Sequence, residues 1–242
     1  MQPTPIQAAA QRLAQAQKVA VLTGAGISAE SGVPTFRGAD GLWEQYRPED
    51  LATPQAFARD PELVWRWYQW RRELISRCAP NPAHRALKDL EYRAEAFTLI
   101  TQNVDGLHRL AGSRNLLEVH GNLWMVRCTA CGALYEERSL ELSPRPACRE
   151  CGGLLRPHVV WFGESLDGRI LDAAWRAAAG CQVMLVVGTS AVVQPAAGLA
   201  SVAKQAGAFV IEVNLEPTPN SREVDLSLMG KAGEILPQLL AV

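Results

Sequence analysis

Cys128-x-x-Cys131 and Cys148-x-x-Cys151 are separated by 16 residues. Paired C-x-x-C motifs at that spacing predict a tetrahedral zinc site, and four thiolates leave no open position, so the metal is expected to be structural. Two buried or redox-active cysteine pairs are the alternative. Gly24-x-Gly26-x-x-Ala29 follows the apolar run VAVLT. That spacing lets backbone approach a pyrophosphate at the start of a helix, though a tight turn uses the same glycines. A hydride-transferring dehydrogenase places a ribose-binding acid about 20 residues further on, at a strand end. Here that position falls near Glu44 in GLWEQY, which does not read as a strand. A bound dinucleotide therefore fits better than hydride transfer.

A third cluster begins where FTLIT runs into QNVDGLH. In an open α/β sheet the carboxyl ends of strands line the ligand crevice, which places Gln102, Asn103 and Asp105 there. Either Asn103 or Asp105 could instead cap the following helix. His120, in LEVHGN, is a general-base candidate or a structural histidine. The fourth feature is VWRWYQWRREL, residues 64–74. At about 100° per residue, Val64, Trp67, Tyr68, Arg71, Leu74 and Ile75 share one helix face, and Arg66 and Glu73 face water. Arg71 thus lies within an apolar stripe, where an unpaired charge costs several kcal/mol. It needs a carboxylate, from the chain or from a ligand.

These groups must be held by a scaffold, and the pattern of apolar runs supplies one. VAVLT (19–23), FTLIT (97–101), VMLVVGT (183–189) and FVIEVN (209–214) read as buried strands, with alanine-rich helical patterning such as 191–206 between them. The alternation predicts an α/β fold: a Rossmann-like parallel sheet with helices on both faces. That domain is expected from 1–35, 91–120 and 158–242. Tryptophan-rich, helical residues 36–90 and cysteine-, glycine- and proline-punctuated residues 121–157 break the rhythm, and are expected to be insertions forming a small domain.

Composition excludes other classes. The 242 residues are 48% apolar, enough for a sizeable core, and the net charge is −1. With a pI near 6.4 the chain has no bulk attraction for nucleic acid or acidic lipid. Residues 121–157 hold five Arg and four Glu, a poor footprint for phosphates, so a nucleic-acid-binding zinc ribbon is not expected. No run approaches the roughly 20 apolar residues of a membrane span, and the N-terminus lacks a signal-peptide core. A cytoplasmic protein is expected.

GAGIS, TQNVDGLH, LEVHG, the two C-x-x-C pairs, HVVWFGE and GTS occur in order, and together they resemble the sirtuin family of NAD-dependent protein lysine deacylases, a resemblance that runs from about residue 19 to residue 232. The resemblance implies NAD as a consumed cosubstrate and one structural Zn2+. It implies acyl-lysine proteins or peptides as substrates, bound as an added strand beside HVVWFGE, with Val160 and Phe162 near the mouth of a lysine tunnel. His120 would be the general base for a ribose hydroxyl. Asn103 and Asp105 would orient the ribose and carboxamide, with Gln102, Arg37, Ala25 and Ser28 completing that half of the pocket beside Gly24 and Gly26. Gly188, Thr189 and Ser190, with Asn214 and Glu216, would line the adenosine side, and Ala232 would touch adenine.

Tyr68-x-x-Arg71 resembles the pair of sirtuins that prefer succinyl-, malonyl- or glutaryl-lysine. At i and i+3 the phenol and guanidinium can share one carboxylate. The expected reaction is removal of succinyl, malonyl and also acetyl groups, releasing nicotinamide and O-acyl-ADP-ribose. Protein ADP-ribosyl transfer is a second reading, and a non-catalytic NAD-sensing zinc-ribbon module a third.

Overall fold

The uninterrupted apolar runs become strands buried on both faces, as a parallel sheet covered by helices requires. A computed structural model describes residues 3–36 and 41–241. Its strands are β1 (Lys18–Thr23), β2 (Ala96–Thr101), β3 (Leu116–Glu118), β4 (Gly121–Cys128), β5 (Leu134–Glu136), β6 (Leu155–Val159), β7 (Val183–Val187), β8 (Phe209–Asn214) and β9 (Leu226–Met229). Its helices are α1 (Pro5–Gln15), α2 (Gly26–Ala29), α3 (Leu42–Gln45), α4 (Pro48–Leu51), α5 (Pro54–Arg59), α6 (Pro61–Ser76), α7 (Pro82–Arg93), α8 (Leu107–Ala111), α9 (Gly168–Gly180), α10 (Leu199–Gln205) and α11 (Ala232–Leu240).

Six strands form one sheet in the order β3-β2-β1-β7-β8-β9, with every neighbouring pair parallel. One face buries Leu13, Leu87, Leu90, Leu236 and Leu239 from α1, α7 and α11, and the other buries Ala174, Ala178, Leu199 and Ala203 from α9 and α10. The Rossmann-like sheet is therefore borne out. The order in which strands are laid down reverses between β1 and β7, the place where such folds open a crevice beyond their strand ends. Thr23 pairs with both Thr101 and Val187, and Val187 with Val213, so Gly24, Gln102, Gly188 and Asn214 emerge along one edge.

A second core lies beside that edge. It joins the buried face of α6 to the antiparallel sheet β5-β4-β6, with Trp65, Tyr68, Leu123, Trp124, Val126, Leu155 and Trp161 in contact. Asp60 caps α6 by accepting from Leu63 N at 2.9 Å, and Pro61 occupies its first turn. Trp65 is fully buried and donates its indole N–H to Leu155 O at 2.8 Å. Truncating it to alanine is expected to cost about 3–5 kcal/mol. The helical insertion was expected to run to residue 90, but α7 packs otherwise. Its Ala83, Ala86, Leu87 and Leu90 join the large sheet's core, because its apolar stripe faces α11.

Candidate functional site

The glycine loop is shaped by what it touches inside the protein. A Cβ on Gly24 would stand 2.8 Å from Gly188 O and Thr189 Cα, and one on Gly26 2.8 Å from Gly188 Cα. Gly188 has φ 59°, and a Cβ there would meet Ile27 N at 2.4 Å. Side chains at these positions would drive the β1 and β7 loops apart, so GAG and GTS are one interlocked turn pair. Sequence spacing alone reads the glycines as space for a pyrophosphate; part of that space belongs to the other loop. The helix that follows is a single turn, α2, with Ala25 preceding it.

Polar groups knit the adjoining strand ends. Gln102 donates to Thr189 Oγ1 at 3.0 Å, and Asn214 donates to Thr189 O at 2.9 Å. Asn103 donates to Gly24 O at 3.0 Å and to Ser28 Oγ at 3.2 Å. Ser28 in turn donates to Asp105 Oδ2 at 2.7 Å, and Leu107 N donates to Oδ1 at 2.8 Å. Asp105 thus accepts from the first amide of α8, one residue before the Gly106 N-cap rather than as the cap itself, while also meeting the glycine loop. Burial raises its pKa, opposed by those two hydrogen bonds and the field of Arg71.

His120 is half-buried, and its Nδ1 lies 3.0 Å from Gln102 O. A carbonyl oxygen only accepts, so Nδ1 carries the hydrogen and Nε2 keeps its lone pair. Burial lowers the imidazole pKa, partly offset by the Gln102 bond. This is a neutral, tautomer-fixed base beside the polar strand end.

Behind the loop lie two histidines that sequence reasoning passed over. Asn81 N donates to His84 Nδ1 at 3.4 Å, so His84 Nε2–H points to Ser28 Oγ at 3.4 Å. His108 Nε2 meets Thr23 Oγ1 at 3.0 Å. Burial pushes His84 down to about 4 and His108 well below its ordinary value. The signal for His84 was the helix-start pattern NPAH, where Asn81 and His84 form reciprocal caps.

Helix α6 presents two buried arginines side by side. Arg72 donates Nε and Nη2 to Leu123 O at 3.0 and 2.8 Å, a structural anchor. Arg71 is 5% exposed, and among the described residues no carboxylate lies within 4.0 Å of it. Its guanidinium stands 4.6 Å from the Phe36 ring centroid and 5.2 Å from that of Trp67. Burial lowers its pKa, opposed by Tyr68 and Asp105, which places its charge within reach of the polar strand end. One turn earlier, the Tyr68 hydroxyl accepts from Trp161 Nε1 at 2.9 Å.

The four cysteine sulfurs lie within 4.8 Å of one another, with Cys128 to Cys151 at 3.5 Å and Cys131 to Cys148 at 3.8 Å. Sulfurs around a tetrahedral zinc at about 2.3 Å are roughly 3.8 Å apart, so the set fits that ion. Backbone N–H groups of Ala130, Cys131, Glu150 and Gly153 point at these sulfurs at 3.4–3.5 Å, which favours thiolates. A redox pair needs no such convergence of all four.

The run HVVWFGE is less extended than its sequence suggests. Strand β6 ends at Val159, and a turn with Gly163 at φ 85° follows. Val160 N donates to His120 O, Trp161 N to Glu164 Oε2 and Phe162 N to Ala52 O, each at 2.9 Å. Their N–H groups are engaged, so an added strand would pair through carbonyls or beyond Phe162. Phe162 itself is 45% exposed.

Elsewhere, Ser190 and Glu216 are exposed on the rim, and Ala232 is buried where Gly233 N donates to Glu30 Oε1 at 2.8 Å. Arg37 lies outside the described residues.

The Sir2 family model matches residues 24–195. NAD-dependent protein deacylase 2 of Pyrobaculum aerophilum is 55% identical over 229 residues, 94% of this chain and 92% of that protein. A crystal structure of a Sir2 homologue–NAD complex superposes with a TM-score of 0.90 at 52% identity, covering 96% of this chain and 91% of that one. A Sir2–p53 peptide–NAD+ complex superposes with a TM-score of 0.85 at 33% identity, covering 95% of each chain.

Proposed function

This chain belongs to the Sir2 family, and we propose that it is an NAD-dependent protein lysine deacylase selective for acidic acyl groups, succinyl and malonyl above acetyl. Acyl-lysine, NAD and water would yield lysine, nicotinamide and O-acyl-ADP-ribose. The observation that carries the acyl preference is Arg71, buried against two aromatic rings with no carboxylate partner among the described residues. A succinyl carboxylate supplies the missing charge. Tyr68 accepts from Trp161 and keeps its own hydrogen free of any described acceptor, so it can donate to the same carboxylate.

NAD supplies the electrophilic ribose carbon and the nicotinamide leaving group. The chain's part is to bind, orient and move one proton. His120 Nε2, unprotonated because Nδ1 is held by Gln102 O, takes the proton of a ribose hydroxyl. Asn103 and Asp105, fixed through Ser28, orient the ribose and carboxamide, and the Gln102–Thr189–Asn214 links hold the adenosine side. An acyl-lysine peptide would run along the turn at Val160–Phe162, and Cys128, Cys131, Cys148 and Cys151 would hold a Zn2+ that keeps the small domain in shape.

Arg71→Met tests the acyl reading. For succinyl-lysine peptide, kcat/KM should fall by about 2–4 kcal/mol of transition-state stabilisation, far more than for acetyl-lysine peptide. Equal losses on the two substrates would make Arg71 a structural residue.

A further inference from the structure

We infer that Trp161 is a positioning residue for acyl selectivity: its indole N–H fixes which way the Tyr68 hydroxyl points. The inference rests on the acidic-acyl reading above and explains how a lone phenol becomes a directed donor.

A phenol hydrogen lies near the ring plane, on one side of the oxygen or the other. When a donor approaches from one side, the O–H turns to the opposite side. Trp161 Nε1 approaches Tyr68 at 2.9 Å in a fully dry setting, for both residues are 3% exposed. An indole nitrogen only donates, so Tyr68 must accept this bond and direct its own hydrogen elsewhere. A phenol that accepts also donates more strongly, because hydrogen bonds in series polarise one another.

Trp161 is itself held unusually firmly. Arg156, 7% exposed, forks onto Glu164 with Nη1–Oε1 at 2.5 Å and Nη2–Oε2 at 2.9 Å. The same guanidinium stacks 3.5 Å from the Trp161 ring centroid and donates to Val159 O at 2.9 Å. Glu164 also accepts from Trp161 N, and Phe57 packs on the indole with centroids 5.2 Å apart. Arg156 and Glu164 thus clamp the turn after β6, and the clamp delivers one N–H to Tyr68. The buried Trp161 side chain is assigned no contact with substrate; only the backbone of its turn lies along the peptide.

The test compares wild type, Trp161→Phe, Tyr68→Phe and the double variant on matched succinyl- and acetyl-lysine peptides, with melting temperature and zinc content as folding controls. Trp161→Phe should lower the succinyl-to-acetyl ratio of kcat/KM about fivefold, the scale of one weakened hydrogen bond, chiefly through KM for the succinyl peptide. In the Tyr68→Phe background it should lower the ratio no further, since the hydroxyl it orients is gone. An unchanged ratio, an equal loss on both peptides, or an additive loss in the double variant would each overturn the inference while leaving the Tyr68/Arg71 reading in place. Should wild type show no succinyl preference, that reading fails and takes the inference with it. If Trp161→Phe does not fold, Glu164→Gln loosens the clamp but keeps the indole. It should lower the ratio in the same direction by a smaller factor, and equal loss on both peptides would contradict the proposal.

Discussion

Arg71 and Arg72 are neighbours in sequence with opposite surroundings. Arg72 ends on a backbone carbonyl 51 residues away, an anchor with no local sequence signature. Arg71 was legible, because the helical period placed it among Val64, Trp67, Tyr68 and Ile75, all of which are buried. His120 was legible only through its company in LEVHG; the carbonyl that fixes its tautomer depends on tertiary structure. Burial holds its pKa below 6.5, and the general-base role proposed for it requires the neutral form. Activity should therefore be full at neutral pH and fall on acidification, with the acid limb of kcat/KM below pH 6.5. His120→Ala should lower kcat by at least about 100-fold with ADP-ribose still bound by calorimetry. A variant retaining most of its kcat would remove His120 from the reaction.

Elements were read unevenly. Long apolar runs gave β1, β2, β7 and β8 within a residue or two. The edge strands β3 and β9, three and four residues long and only partly buried, carried too little pattern to be seen. HVVWFGE misled in its second half, because its extended look conceals a turn clamped by Arg156 and Glu164. The zinc ribbon was the clearest element, since ligand spacing is local chemistry. Its three-stranded sheet has β5 only three residues long and shares its core with α6, so a metal on the four cysteines would brace the end that this core does not reach. Metal analysis should find one zinc per chain. Chelation should cost on the order of 4 kcal/mol or more, lowering Tm by roughly 10 °C. A metal-free preparation with unchanged Tm would contradict the zinc site.

At the scale of the molecule, parallel strands bring their carboxyl ends to one edge, and that edge gathers residues from 24 to 214. A consequence not tied to catalysis follows from the two buried histidines behind it. His84 has a folded pKa of about 4 against 6.5 when exposed, and His108 is likewise lowered, so the unfolded chain binds more protons. Their contribution is fully present above pH 6.5 and lost as pH falls toward 4. For His84 it is on the order of 3 kcal/mol. Denaturant midpoints should fall across that window, and His84→Gln should flatten the slope; a flat profile in the parent chain would show both imidazoles protonated in the fold.

The most direct measurement of the central claim is the wild-type kcat/KM on a matched panel of acetyl-, succinyl-, malonyl- and glutaryl-lysine peptides, with and without NAD. NAD-dependent nicotinamide release is expected on all productive substrates, with succinyl and malonyl ahead of acetyl. Acetyl equal to or ahead of succinyl would contradict that claim.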